Sequence, residues 1–260
     1  MTYITAYSTD EGIAKQINQD ALCIKTASFR SEQIIMAAVC DGMGGLSDGE
    51  TASAYIIDCL SRWFETSFAD LMKSGAKLLD IRQNLDKYLH SNNDKLNDYA
   101  QTNNKILGTT MTAVFIIPTL GKMLAAHVGD SRLYRITDSG ISLLTADHSV
   151  VGDEIRKGNL TEEMAGSDSR QNQLTKCMGA GLANVSYDYL ISEYETQCCY
   201  MLCSDGFRKK ITSDELFTSL RPDKITSDSD ATQILESLTQ LNMSRNETDN
   251  ITALLIKTIS

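Results

Sequence analysis

Four aspartates stand beside strand-like apolar runs that are spread along the chain: Asp20, Asp41, Asp205 and Asp249. If the ends of those strands meet in the folded chain, the carboxylates repel one another unless a cation neutralises them. Carboxylate oxygens are hard ligands, which suit magnesium or manganese better than zinc. The sequence therefore predicts a candidate Mg²⁺ or Mn²⁺ site that is built from strand ends.

Each aspartate taken alone has an ordinary alternative. An Asp-Gly pair commonly forms a tight turn, because Asp caps the turn and Gly tolerates positive φ, and this applies to Asp41 and Asp205. The glycines within 42–45 fit a flexible corner. Asp249 fits a turn cap before the last strand, and Asp20 fits the solvated start of a strand. No single position decides between a metal ligand and a turn residue.

Composition narrows the class of protein. The 260 residues carry a net charge of −10, and Lys and Arg form no long run, which argues against a nucleic-acid partner. Seven cysteines without a Cys-x-x-Cys pair lie mostly in apolar runs, where a free thiol behaves as a small hydrophobe. No basic start followed by an apolar stretch and no bilayer-length apolar run is visible. We expect a cytoplasmic protein with no membrane partner.

Hydrophobic periodicity predicts an α+β fold in one domain, 1–260. Apolar residues at helical spacing, such as Leu78, Ile81, Leu85 and Leu89, predict two central helices. Hairpins rather than regular strand–helix alternation favour two mainly antiparallel sheets that are covered by helices on their outer faces. The predicted helices are 49–69, 78–105, 215–220 and 231–243, and the predicted strands are 3–9, 21–27, 34–40, 109–117, 122–128, 131–136, 141–144, 185–191, 197–203 and 251–256.

Seven short motifs follow one another in a distinctive order. They are Asn18-Gln19-Asp20-Ala21, Val39-Cys40-Asp41-Gly42-Met43-Gly44-Gly45, Gly108-Thr109-Thr110-Met111-Thr112-Ala113, His127-Val128-Gly129-Asp130-Ser131-Arg132, Leu174-Thr175-Lys176-Cys177-Met178-Gly179, Cys203-Ser204-Asp205-Gly206 and Asp249-Asn250-Ile251-Thr252. Together they resemble the motif series of the metal-dependent Ser/Thr protein phosphatases of type 2C (PPM), in their bacterial form, from about residue 4 to residue 256. The resemblance implies a β-sandwich flanked by helices in four α/β/β/α layers.

The resemblance also implies roles for individual residues. Asp41 bridges two Mg²⁺ or Mn²⁺ ions, the Gly42 carbonyl binds one of them, and Asp205 and Asp249 bind the other. Asp20 acts near the centre through a metal-bound water. A hydroxide between two such ions becomes a nucleophile near neutral pH and attacks phosphorus in line, so no phosphoenzyme forms. The implied substrates are phosphoserine and phosphothreonine in proteins that a Ser/Thr kinase modifies, and we expect a monomer.

Two positions depart from the family pattern. The family commonly has Arg three residues before the Asn of the first motif, where this chain has Lys15. Lysine keeps the charge that contacts substrate phosphate but loses the bidentate fork of arginine. The alternative is an exposed lysine in a strand turn. Met43 stands where eukaryotic members have a His, which removes that candidate general acid.

The resemblance further implies a third, weaker metal at Asp130 and a flap at 147–170. The alternative for Asp130 is that it fixes the turn before Ser131. Lys209 replaces an acid that supports the third ion in some relatives, which counts against that ion. Three glycines in 147–170 fit a mobile element as well as an ordinary loop. We expect His127 and His148 to be structural or flap residues rather than catalytic ones.

Two other functional classes remain open. A phosphatase-like binding module without turnover could keep the same fold, although the intact set of four aspartates argues against it. A structural Ca²⁺ site is the other alternative. No Asp-x-Asp-x-Asp-Gly loop with a distal Glu occurs, which disfavours the EF-hand form of that site.

Overall fold

The computed structural model describes residues 2–43 and 48–259. Its strands are β1 (Thr2–Asp10), β2 (Asp20–Phe29), β3 (Glu32–Asp41), β4 (Gly108–Thr109), β5 (Met111–Ile117), β6 (Lys122–Val128), β7 (Arg132–Thr137), β8 (Gly140–Leu143), β9 (Met178–Gly179), β10 (Asp188–Ser192), β11 (Cys199–Cys203) and β12 (Ile251–Ile259). Its helices are α1 (Gly49–Trp63), α2 (Ala69–Ser74), α3 (Leu78–Thr102), α4 (Val150–Arg156), α5 (Glu162–Ala165), α6 (Asp205–Arg208), α7 (Ser213–Leu220) and α8 (Asp228–Ser244).

Two five-stranded sheets form the centre of the molecule. One has the order β1-β12-β11-β7-β8 and the other β10-β6-β5-β3-β2. Their paired strands run antiparallel, and β4 pairs with β9 in a separate two-stranded sheet. The predicted antiparallel sandwich is therefore confirmed.

The continuous apolar run in β3 is explained by burial on both faces. Successive side chains of a strand point to opposite sides. Met36, Ala38 and Cys40 belong to the cluster beneath the helices α1 and α3, whereas Ile35 and Val39 belong to the cluster between the two sheets. Because both faces are covered, β3 shows no alternation of apolar and polar residues.

The outer face of the other sheet is covered in the same way. Leu216 of α7 and Leu235 of α8 pack with Met201 of β11 and Leu255 of β12. The neighbouring residues of these strands, such as Leu202, instead pack between the sheets. The layers are therefore helix, sheet, sheet and helix, as the resemblance implies.

Several predicted boundaries differ from the structure. The predicted helix 49–69 is α1 followed by a π-helical segment, Phe64–Phe68, and α2. The predicted strand 185–191 begins only at Asp188, because pairing with β6 starts at His127. All seven cysteines carry free thiols, as expected. Within the described residues, no helix combines the length and apolar character that a membrane span needs.

Candidate active site

A cleft of about 560 Å³ lies where the ends of both sheets meet. Asp41, Asp130, Asp205 and Asp249 line it together with Lys15, Gly42 and Met43. Asp20 is paired with Asp41 at the ends of β2 and β3, directly beside the cleft. The structure thus brings every predicted site residue to one place, although Lys15 and Asp249 lie near opposite ends of the sequence.

Asp41 is held by the strand that follows the central helices. Its backbone N–H donates to Thr110 Oγ1 at 2.9 Å, and its carbonyl accepts from Thr110 N at 2.9 Å and from Thr109 Oγ1 at 2.9 Å. Gly42 follows, where a Cβ would lie 2.3 Å from the carbonyl oxygen of Gly49. Glycine is therefore required here by close backbone approach rather than by a turn with positive φ.

Thr110 also contacts the turn that carries Asp130, the residue implied to bind a third metal. Thr110 Oγ1 and Ser131 Oγ lie 2.7 Å apart in a hydrogen bond. Gly129 has a φ of +111°, and a Cβ there would lie 2.5 Å from Thr110 Cβ. Since only glycine fits this contact, the turn that carries Asp130 is pressed against the strand that holds Asp41. Asp130 itself is 5% exposed.

Asp205 and Asp249 approach from the other sheet. Asp205 is the first residue of α6, so the alternative of a plain turn at Asp205-Gly206 is wrong. A Cβ on Gly206 would lie 2.2 Å from the carbonyl oxygen of Asn250 and 3.3 Å from Asp249 Cβ. This close packing sets the spacing between the two aspartates.

Asn250 is a site residue that sequence reasoning did not single out. Its Oδ1 accepts from Gln19 N at 3.0 Å, and its Nδ2 donates to the carbonyls of Glu11 and Ile17 at 3.0 and 3.1 Å. These bonds fasten the loop that carries Lys15 to the start of β12. Asn250 is next to Asp249 in sequence, but only contacts across more than 230 residues show its role.

The aspartates destabilise one another's ionised forms. Burial, followed by the charges of Asp205 and Asp249, raises the pKa of Asp20 to about 7 against the opposing effect of nearby hydroxyls. Burial and the charge of Asp20 raise the pKa of Asp41 well above its usual range. Burial and Asp205 raise the pKa of Asp130 to about 7, although Arg208 opposes that shift. A bound cation would relieve this repulsion.

Lysines already contact two of the carboxylates. Lys209 Nζ lies 2.5 Å from Asp205 Oδ2 and donates to Asn172 Oδ1 at 3.1 Å. Lys15 Nζ lies 3.3 Å from Asp249 Oδ1 and lines the cleft. Lys15 is thus placed on the aspartate cluster, which does not fit a lysine that merely points to solvent.

The donor atoms suit a hard divalent cation. Within 2–43 and 48–259, no group of three or more His, Cys, Asp or Glu side chains is arranged so that it could hold a metal ion. Both carboxylate oxygens of Asp20 and Oδ1 of Asp205 are nevertheless buried without a hydrogen-bond partner of good geometry. Buried carboxylate oxygens normally have a partner. These oxygens fit Mg²⁺ or Mn²⁺, which prefer such ligands.

The two histidines lie behind the cleft, where they support its wall. His127 Nε2 donates to the carbonyl of Ala146 at 3.1 Å, and its ring stacks on His148 with centroids 4.9 Å apart. His148 Nδ1 accepts from Gly129 N at 3.1 Å, so its Nε2 carries the proton and donates to Asp188 at 3.1 Å. These contacts fit the expectation that both are structural or flap residues.

The segment 147–170 contains α4 and α5, and its first residue, Asp147, lines a second pocket together with Lys209 and Asp249. Gly152 falls inside α4, where a Cβ would lie 2.6 Å from the carbonyl oxygen of Asp147, so this glycine serves close packing. Gly158 has a φ of +77° with open space around it. The alternative of a flexible corner within 42–45 concerns Gly42, Gly44 and Gly45, of which Gly44 and Gly45 lie outside the described residues.

Comparison with known proteins identifies the family. A sequence model described as "Protein phosphatase 2C" matches residues 12–243. A putative protein phosphatase 2C-type from Streptococcus pyogenes is 31% identical over 250 residues, which cover 95% of this chain and 94% of that protein. The serine/threonine phosphatase Stp1 from Staphylococcus aureus superposes with a TM-score of 0.85 at 27% identity, covering 100% of this chain and 96% of that one.

A more distant solved structure has the same fold. The catalytic domain of the serine threonine protein phosphatase PstP, in complex with two manganese ions, shares the fold with a TM-score of 0.77 at 22% identity. The alignment covers 100% of both chains. With the convergent aspartates and the match over residues 12–243, these similarities lead to one conclusion: the chain belongs to the protein phosphatase 2C family.

Proposed function

We propose that this protein is a metal-dependent phosphatase that hydrolyses phosphoserine and phosphothreonine in proteins. The observation that carries the proposal is the cluster of aspartates at one cleft, in which carboxylate oxygens of Asp20 and Asp205 are buried without a hydrogen-bond partner of good geometry. In this assignment Asp41, the Gly42 carbonyl, Asp205 and Asp249, which line the same cleft, would hold the Mg²⁺ or Mn²⁺ ions.

The ions, when bound, lower the pKa of a coordinated water and offset charge on the phosphoryl oxygens. The protein's own groups then place the reactants. Neither carboxylate oxygen of Asp20 has a hydrogen-bond partner of good geometry, so Asp20 would accept a hydrogen bond from the attacking water and orient it. Lys15 provides an ammonium group at the same cleft for a phosphate oxygen.

The finer assignments belong to the same proposal. The whole chain acts as one phosphatase domain in the cytoplasm, as a monomer, on substrates of a Ser/Thr kinase, and 147–170 is its flap. A third ion at Asp130 would compete with cations that are already there, because Arg208 Nη2 lies 3.9 Å from Asp130 Oδ2 and Lys209 sits on Asp205. We therefore assign Asp130 primarily to fixing the turn before Ser131.

The test is hydrolysis of p-nitrophenyl phosphate and of a phosphothreonine peptide with Mn²⁺, with EDTA, and with the variant Asp205→Asn. Loss of a ligand that binds the metal directly should lower kcat/KM by at least about a hundredfold, since loss of an outer hydrogen-bond partner already costs 10–100-fold. Asp223→Asn is the matched control, because Asp223 is exposed and pairs only with Arg221 in the described structure.

The outcomes separate the alternatives. Turnover that survives EDTA, or full activity in Asp205→Asn, would refute the two-metal assignment. Absence of turnover on both substrates with any divalent metal would support the phosphatase-like binding module instead. Binding of Mn²⁺ measured by calorimetry gives a readout that does not depend on activity.

A further inference from the structure

One wall of the aspartate cleft is apolar and exposed. Ile106 is 57% exposed and Leu182 is 40% exposed, and both line the cleft together with Met43. We call these three residues the apolar wall. Single exposed apolar side chains are common on protein surfaces and need no explanation. Here two exposed apolar side chains line the same cleft as the aspartates.

The apolar wall is built on fixed backbone. Met43 N donates to the carbonyl of Gly108 at 3.1 Å, and Gly108 pairs with Gly179 between β4 and β9. A Cβ on Gly108 would lie 1.9 Å from Met43 Cε, so the methionine packs directly over this glycine. The short β4–β9 sheet thus joins Met43 to the segments that carry Ile106 and Leu182.

Two asparagines of α3 clamp the loop that carries Leu182. Asn93 accepts from Gly179 N at 2.8 Å and donates to the Leu182 carbonyl at 2.9 Å. Asn97, one helical turn later, accepts from Gly181 N at 3.0 Å and donates to the same carbonyl at 3.0 Å. Four hydrogen bonds therefore hold an exposed leucine in place. Such preorganisation lowers the entropy cost of binding a partner.

Ala180 adds a second sign of constraint in the same loop. It is not glycine, yet its φ is +53°. A non-glycine residue in this region costs on the order of 1 kcal/mol and persists only where its surroundings hold it. The backbone N–H of Ala180 donates to the carbonyl of Leu107, which is the residue after Ile106. The loop is thus held in a strained shape that keeps Leu182 beside Ile106 at the cleft.

We propose that the apolar wall binds an apolar side chain adjacent in sequence to the phosphorylated Ser or Thr, so that it selects substrates with such a residue. This inference rests on the proposed function, because it takes the aspartates and Lys15 as the phosphate end of the cleft. A cleft of about 560 Å³ leaves room for more than a phosphate group. An apolar side chain is the occupant that gains from covering Ile106 and Leu182.

Charge argues against a membrane as the occupant. The wall adjoins Asp41 and Asp249, and the chain as a whole carries a net charge of −10. Anionic headgroups would be repelled from such a rim. A phosphopeptide can place its phosphate beside the aspartates and Lys15 and the neighbouring apolar side chain against the apolar wall, so it complements both parts of the cleft.

The experiment compares phosphothreonine peptides that differ only in having Leu or Ser beside the phosphorylated residue, on either side, with Mn²⁺. The wild type should show a kcat/KM about tenfold higher for a Leu peptide, the size of effect that a small apolar group gives in a pocket. Ile106→Ser with Leu182→Ser should remove this preference. The quantity compared is the ratio of kcat/KM for the Leu and Ser peptides within each variant, so that a change in basal activity cancels.

Matched controls come from exposed apolar residues away from the cleft. Leu79 is 57% exposed, like Ile106, and Ile191 is 44% exposed, close to Leu182. Leu79→Ser with Ile191→Ser should keep the wild-type preference for the Leu peptide. Because all four side chains are substantially exposed, none of these variants removes core packing.

Two results would overturn the proposal: equal kcat/KM for Leu and Ser peptides in the wild type, or a preference that survives in the double variant of Ile106 and Leu182. Failure of the proposed function looks different, because then p-nitrophenyl phosphate is not hydrolysed either. In that case the wall is tested by fluorescence-anisotropy binding of the same peptides. Equal affinity for the Leu and Ser peptides would again overturn the inference.

Discussion

Asp147→Asn tests whether a buried ion cluster beside the cleft stabilises the fold. Arg132 donates from Nε and Nη2 to the two oxygens of Asp147 at 2.8 Å each, and Arg208 Nη2 donates to Oδ2 at 3.2 Å. The three side chains are only 10–16% exposed. Removing one partner of a buried pair costs about 3–5 kcal/mol, because the remaining charge is left uncompensated. Asparagine keeps one acceptor oxygen, so we expect Asp147→Asn to lower the unfolding free energy by about 3 kcal/mol, the lower end of this range.

The pH dependence gives the same prediction a second readout. Burial opposes ionisation of Asp147, but the hydrogen bonds from Arg132 and the charge of Arg208 outweigh it and hold its pKa below the usual value. A lowered folded pKa stabilises the fold above the unfolded pKa of roughly 3.9, and this stability is lost as pH falls through the folded value. The difference between wild type and Asp147→Asn should therefore be constant from pH 5 to 8, roughly, and shrink below about pH 4.

The assay is urea unfolding at a fixed Mn²⁺ concentration, because any ion that binds only the native state adds stability by mass action. Asp153→Asn is the matched control. Asp153 pairs with Arg156 on the surface and is 38% exposed, so its loss should cost less than about 1 kcal/mol. If Asp147→Asn costs no more than Asp153→Asn, the buried cluster does not contribute as argued.

Three further predictions follow from single contacts. Burial and then the charge of His148 lower the pKa of His127 to about 4. As pH falls, the unfolded chain therefore binds this proton before the folded chain does. When pH is lowered from 7 to 4.5, the unfolding free energy of His127→Gln should rise by about 2–3 kcal/mol relative to that of wild type, measured by urea unfolding. A difference that does not depend on pH would contradict the assignment. Gly206→Ala places a Cβ 2.2 Å from a backbone oxygen and should lower the unfolding free energy by about 1–3 kcal/mol. Gly140→Ala is the control, because nothing lies within 4 Å of a Cβ there, and it should change the unfolding free energy by less than about 0.5 kcal/mol. Equal effects of the two variants would refute the packing argument. Lys15→Met should lower kcat/KM for p-nitrophenyl phosphate roughly ten- to a hundredfold, the worth of a hydrogen bond to a charged group, while Lys15→Arg keeps the activity; equal rates in both variants would remove Lys15 from phosphate binding.

The fold was largely predictable because its elements follow local periodicity. The spacing of Ile81, Leu85 and Leu89 predicts α3, and these residues are buried where α3 packs on its sheet. The strands β4 and β9 were not predicted. Each is two residues long and exists only because Gly108 pairs with Gly179, 71 positions later. Local sequence holds no signal for such a pairing.

The site was predictable in its chemistry but not in its contacts. The motifs containing Asp20, Asp41, Asp205 and Asp249 indicate hard oxygen ligands without any structure. The same motifs do not show that Lys209 contacts Asp205, or that Asn250 fastens the loop of Lys15. Those contacts arise between segments that meet only after folding. Side-chain geometry between distant segments therefore has to be read from the tertiary structure.

By itself, the sequence determined the layered α+β class, the family and the residue types of the acidic cleft, because strand alternation, helical spacing and motif order are local properties of the chain. Only the tertiary structure decided the electrostatics of that cleft and which other residues line it. It set the raised pKa values of Asp20 and Asp41, which depend on burial and on the charges of other aspartates at the cleft. It also placed Ile106 and Leu182 on one wall, because α3 clamps a loop that is more than 80 residues away in sequence.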